Sequence, residues 1–177
     1  MRKFLFSLCL ISTGYCYAAC DYSPAGATCN DTSVDNLNAS GIVVLKKTTV
    51  ARSTNISGTV DSYATNLNTV DIRGKAKLVD TKVASEFRIK GYLEAIDSDF
   101  TGPVMINSNK AIFNNSHIGN SISMSADTPK PKLVLSGTTS IQGDINFSNG
   151  NGEVFLGPNA KVIGKVTGGR IVKEGEE

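Results

Sequence analysis

The chain has 177 residues, with 18 Lys and Arg against 16 Asp and Glu, 7% aromatic residues and no tryptophan. That length suits one domain. The near-balance of charge gives no electrostatic case for nucleic acid, which needs a basic stripe able to displace counterions. Long helices are excluded as well, because no window holds apolar spacing of period 3.6 while alternation of period two recurs in a body rich in Ser, Thr, Asn, Gly, Val and Ile.

Residues 1–19 read as a signal peptide: Arg2 and Lys3 give a positive start, Phe4 to Ile11 an apolar run, and Cys16-Tyr-Ala18 the small residues of a cleavage site. The run is too short to span a bilayer, and no later segment approaches the ~20 apolar residues required. The expectation is an exported protein of the periplasm, envelope or outer surface, without a transmembrane segment. Removal of Arg2 and Lys3 leaves 16 charges of each sign. Cys9 and Cys16 leave too, and Cys20 and Cys29 are expected to pair in an oxidising compartment. They sit in a segment, 20–33, read as an N-terminal cap. A rival reading makes Cys20 a lipid anchor, since Ala18-Ala19-Cys20 resembles the end of a lipobox. Tyr17 stands where that pattern has leucine, and acylation would leave Cys29 as an unpaired thiol.

The body, residues 34–172, repeats itself. Residues 72–88 align without a gap onto 89–105 at an offset of 17, matching Ile72 with Ile89, Gly74 with Gly91, Val79 with Ile96, Asp80 with Asp97 and Val83 with Phe100. Such self-similarity marks a solenoid whose repeats bury their apolar faces against neighbours. Upstream, Ile56-Ser-Gly58 matches Ile72-Arg-Gly74 one residue closer, and Asn66-Leu-Asn68 resembles Asn36-Leu-Asn38. Downstream, Ile106, Phe113 and Asn114 keep the offset of 17, and an insertion near Asn115 to His117 raises it to 18 at Ile118, Ile122 and Met124. Asp127 to Lys132, with two prolines, reads as a loop. Beyond it Leu135, Ile141, Gly143 and Ile145 match Leu156, Val162, Gly164 and Val166 at an offset of 21, with Ser148 to Gly152 as a second loop.

These patterns predict an all-β, single-stranded parallel β-helix of triangular cross-section, with about seven windings of about 17 residues. Val79, Val83, Phe87, Ile89, Ile96, Phe100, Val104 and Ile106 are the expected inward residues. Residues 173–177 form a charged tail expected to oppose end-to-end stacking.

The short winding and the Ile-x-Gly-x-Val/Ala motif, with Gly58, Gly74, Gly91, Gly143 and Gly164 at turns, resemble the bactofilin or polymer-forming cytoskeletal family over about residues 50–172. The resemblance implies a compact right-handed β-helix suited to association. It does not carry over a cytoskeletal role, because that family is typically cytosolic and lacks a secretory signal and a cysteine-bearing N-terminal segment.

Asp80, Asp97 and Asn114 are expected on one ladder, beside Thr81 and Ser98. Neighbouring carboxylates can hold a metal or work as acid and base, but tight windings offer no cleft, and Asp, Asn, Ser and Thr commonly cap corners through backbone hydrogen bonds. Arg73 with Lys90, and Lys75 with Tyr92, are expected to stack on adjacent rungs of an outer face, a patch able to hold an anionic glycan. His117, the sole histidine, reads as a solvated corner residue. No nucleophile has a visible base, so no catalytic, cofactor or metal residue is assigned. The reading favours a non-enzymatic structural or interaction component of a bacterial envelope or secretion-type assembly, with other envelope proteins or its own copies as partners. A carbohydrate-binding or adhesive module is the alternative, and a polysaccharide-active enzyme is the least supported.

Overall fold

The computed structural model describes residues 20–127 and 130–173. The segment 1–19, read above as a signal peptide, and the tail beyond Lys173 lie outside the described residues. Those described form nineteen strands and no helix, so none crosses a membrane as a helix. Each winding lays one rung on each of three faces, and successive rungs pair in parallel. On the third face the rungs run from Gly26–Asn30 through parts of Ser33–Lys46, Thr49–Tyr63, Asn66–Val79 and Phe87–Ile96 to Lys110–Asn114, Lys132–Ser136, Gly152–Leu156 and Gly169–Lys173. That makes nine rungs where the sequence suggested seven, a rod about 40 Å long at ~4.8 Å per rung.

The offset of 17 is the true register: Ile72 pairs with Ile89, Gly74 with Gly91 and Val83 with Phe100. So is the offset of 21, through Leu135 with Leu156, Ile141 with Val162 and Ile145 with Val166. Three expectations need correction. The single inserted residue lies at Ser108 to Lys110, since Lys90 still pairs with Asn107 while Ala95 already pairs with Phe113. Asn66-Leu67 sits opposite Thr49-Val50, one face away from Asn36 to Asn38, which lie opposite Ser53 to Asn55. Val79 and Ile96 point outward, half-buried, while Leu78 and Ala95 take the interior, because alternation is counted from the corner that follows.

The interior is dry and continuous. Phe87, Phe100 and Phe113, one from each face of successive windings, stack edge-to-face with ring centroids 5.2 and 5.6 Å apart, all fully buried. Thr54 is the odd inward residue of the second face, its hydroxyl buried without a partner. Valine keeps the β-branched shape and removes the stranded hydroxyl. Thr54→Val is therefore expected to stabilise the protein by about 1 kcal/mol and raise its melting temperature by about 3 °C, read by calorimetry; a lowered value would contradict this account.

The first corner, between third and first faces, is turned by left-handed residues: Asp31, Lys47, Ala64, Asp80, Asp97 and Asn115, with φ between 46° and 51°. Successive windings thus take 16, 17, 16, 17 and 18 residues. The left-handed residue interrupts the backbone ladder, and the hydroxyl that follows repairs it. The N–H of Thr81 donates to Ser98 Oγ at 3.2 Å, that of Ser98 to Ser116 Oγ at 3.2 Å and that of Ser116 to Thr139 Oγ1 at 3.3 Å. Each of these hydroxyls in turn donates to a carbonyl just upstream, Ser98 to Ile96 at 2.8 Å and Ser116 to Asn114 at 2.9 Å, two residues back, and Thr139 to Ser136 at 2.6 Å, three back. Buried donors that would otherwise be orphaned are thereby satisfied.

The second corner, between second and third faces, is a column of stacked glycines, Gly41, Gly58, Gly74 and Gly91, all at positive φ. Gly143 and Gly164 belong elsewhere, at the corner between the first and second faces. At the N-terminal end Asp21–Ser23 folds back antiparallel on Gly26–Asn30, and the Cys20–Cys29 disulfide locks this hairpin with a Cα–Cα distance of 4.3 Å. The bond uses the sulfur that a lipid anchor would need. The ladder already runs from Ser33, so the cap is confined to the hairpin.

Candidate functional site

The second face carries short polar side chains on most of its rungs. Asn55 Nδ2 donates to Asn38 Oδ1 at 2.9 Å, and Ser53 Oγ bonds Asn36 Oδ1 at 2.7 Å, so amides and hydroxyls form rows along the rod. Further on, cations enter the same face. Arg73 and Lys90 are register partners, as expected, and Arg88 lies between Asp71 and Met105 in the neighbouring column. Glu86 holds Arg88 at 2.8 Å and makes its guanidinium harder to deprotonate. Together Asp71, Arg73, Arg88, Lys90, Asn107 and Ser123 line a shallow groove of about 360 Å³, which continues towards Asn38, Asn55 and Ser57. Across the glycine corner Lys75 and Tyr92 share a register, also as expected, and burial followed by the Glu94 charge pushes the Tyr92 phenol up.

Asp80 and Asp97 occupy equivalent corner positions and are exposed, but Asn114 does not continue their column. It pairs with Ile96, and Asn115 takes the left-handed position. Neither aspartate side chain forms an ion pair or hydrogen bond among the described residues, although both backbone N–H groups donate to the next winding, and no cluster of metal-ligating side chains occurs there. The corner bonds come from the adjacent hydroxyls.

His117 is a strand residue, not a corner residue. Its Nδ1 lies 2.8 Å from Ser140 Oγ, and Asp99 stands opposite on the preceding rung. Sequence reading missed this pairing because the two partners are 23 residues apart across a loop and an irregular corner. The column lies on an open strand face, and the imidazole bonds no carboxylate there, so the contact orients His117 without the acid-held geometry that activates a serine.

The C-terminal end is built differently from the capped one. Its last winding, Lys161–Val162, Val166–Thr167 and Gly169–Lys173, pairs on one side only among the described residues. Ile163 is 64% and Ile171 42% exposed, and Val162 and Val166 are only half-buried. Lys161, Lys165, Arg170 and Lys173 give this winding positive charge with no acid between Gly157 and Lys173. Arg170 reaches back to Glu153 at 2.7 Å. That hydrogen bond, and then the charges of Arg170, Lys130 and Lys132, hold the Glu153 carboxyl below its ordinary range against the opposing effect of burial. A lowered carboxyl pKa contributes stability that is complete above the ordinary value and is lost as pH falls through the folded one. Melting curves at neutral pH and at about pH 3 should therefore show a larger acid loss in the parent than in Glu153→Gln; equal losses would mean the pair contributes nothing.

No family model, curated protein or solved structure matches this chain.

Proposed function

We propose that this is an exported, non-enzymatic docking rod of a bacterial envelope or secretion-type assembly. The observation that carries the reading is the difference between its ends. On the third face the first rung is covered by a disulfide-locked antiparallel hairpin, and the last, paired on one side only among the described residues, lies over half-open core. An unpaired edge is a template for strand addition. Growth of a rod by strand pairing end on end needs both ends open, and the hairpin covers the first rung of the third face. Self-pairing of two open ends would bring Lys161, Lys165 and Arg170 against their own copies. The edge thus suits a strand of another envelope protein.

A photo-crosslinker at Ile171 should capture a discrete partner in the cell that exports the protein, and the same group at Tyr22, on the sealed end, should not. Equal capture from both ends, or long filaments of purified protein in electron micrographs at low and high salt, would overturn the proposal.

A further inference from the structure

The second face points to a binding activity separate from the docking edge: we infer that it is a track for a linear anionic polysaccharide lying along the rod axis. Although the chain is nearly neutral overall, its charge is not evenly spread. Arg73, Arg88 and Lys90 converge on one groove, and exposed Lys75 and Lys110 stand just beyond the second corner. Asp71, Glu86 and Asp127 are the acids of this region; Glu86 is committed to Arg88, and Asp127 stands beside Lys90 and Lys110 at the second corner. Arg73, Lys75, Lys90 and Lys110 form no ion pair among the described residues.

The rest of the face selects the kind of polyanion. Asn38, Asn55, Asn107, Ser123 and Ser125 offer amide and hydroxyl groups rung after rung, the donor and acceptor mixture that sugar hydroxyls require. Rungs repeat every ~4.8 Å, close to the length of one pyranose in an extended chain, so one sugar can meet one rung repeatedly. Met105, 39% exposed, and Tyr92, 36% exposed, place apolar surface where the C–H face of a sugar would lie. The side-chain-free glycine corner leaves room for substituents to overhang. A bilayer surface would call for several large apolar residues to insert, and the second face offers only Met105, set between Arg88 and Ser123. A nucleic-acid duplex would call for cations along a curved phosphate path, whereas these are confined to adjacent rungs of a flat face.

The test is calorimetric titration of the exported chain with oligogalacturonate and with a heparin oligosaccharide, as carboxylate and sulfate probes. Binding is expected at low salt and should weaken as salt rises. Arg73→Gln and Lys90→Gln should each cost about tenfold in affinity. Asn55→Ala and Ser123→Ala should weaken binding without changing its salt dependence, a loss that simple charge attraction would not produce. Lys161→Gln and Lys165→Gln, on the docking edge, should leave affinity unchanged. All six positions lie on the surface side of their rungs, so melting curves should superpose on the parent's. The inference is overturned if neither oligosaccharide binds at low salt, if a DNA duplex or anionic vesicles bind as tightly, or if the Arg73 and Lys90 variants bind like the parent. Failure of crosslinking at Ile171 would leave it standing, and failure here would leave the docking edge standing.

Discussion

Phe100→Asp is expected to leave no folded protein. Phe100 is fully buried and is the middle ring of the stack that joins Phe87 to Phe113, so its loss breaks both aromatic contacts and opens a cavity with no loop nearby to collapse into it. Removing such a ring costs roughly 3–5 kcal/mol. An unpaired carboxylate in its place adds several more, which together match the ~5–15 kcal/mol by which a domain of this kind is held folded. Circular dichroism should lose the β signal, while Phe100→Leu keeps it with a loss of about 1–2 kcal/mol. An aspartate variant that melts within about 2 °C of the parent would show that the interior is not the close-packed core described.

Gly74→Ala is the second large effect, and it needs no change of polarity. Gly74 sits at φ 140°, and a Cβ there would be driven into the backbone carbonyl of Gly58 on the rung below, which is fixed by the ladder and cannot yield. Strained backbone and overpacking together should cost about 3 kcal/mol or more. Gly119→Ala is the internal control. Its φ is ordinary and its nearest contact would be Phe100 O at 3.5 Å, so it should be neutral or slightly stabilising through the unfolded chain. Equal melting temperatures for the two variants would contradict the account of the second corner.

The repeat of residues 72–105 was legible because both windings place glycine, apolar residues and the left-handed aspartate at the same positions, and pairing of Ile72 with Ile89 and of Arg73 with Lys90 followed directly from it. The upstream windings were obscured because the first corner accepts Asp31, Lys47 or Ala64 alike, a backbone requirement that several side chains meet. The misplaced insertion has a physical cause as well. Asn114 and Asn115 are identical residues, and only one adopts the left-handed turn, so the sequence alone favoured the shorter register. The column of buried hydroxyls was visible only in part, at Thr81 and Ser98, because Thr32, Thr48, Thr65, Ser116 and Thr139 align only after every winding length is known. The groove of the second face was legible at Arg73 and Lys90, but Asn38, Asn55, Asn107 and Ser123 share chemistry, not sequence, and so left no repeat to find.

The sealed hairpin also gives the rod a direction in time. A solenoid gains stability rung by rung from its neighbours, so a terminal rung held on one side only opens first. The Cys20–Cys29 hairpin braces the first rung of the third face, while Gly169–Lys173, paired on one side only among the described residues, is the place where opening begins on that face. Amide exchange should slow progressively from Lys173 back towards the Phe113 winding, and the N-terminal rungs should exchange only with the body. The same gradient run backwards describes assembly: a chain made N-terminus first presents a finished template before its last winding exists, and each new rung closes on one already in place.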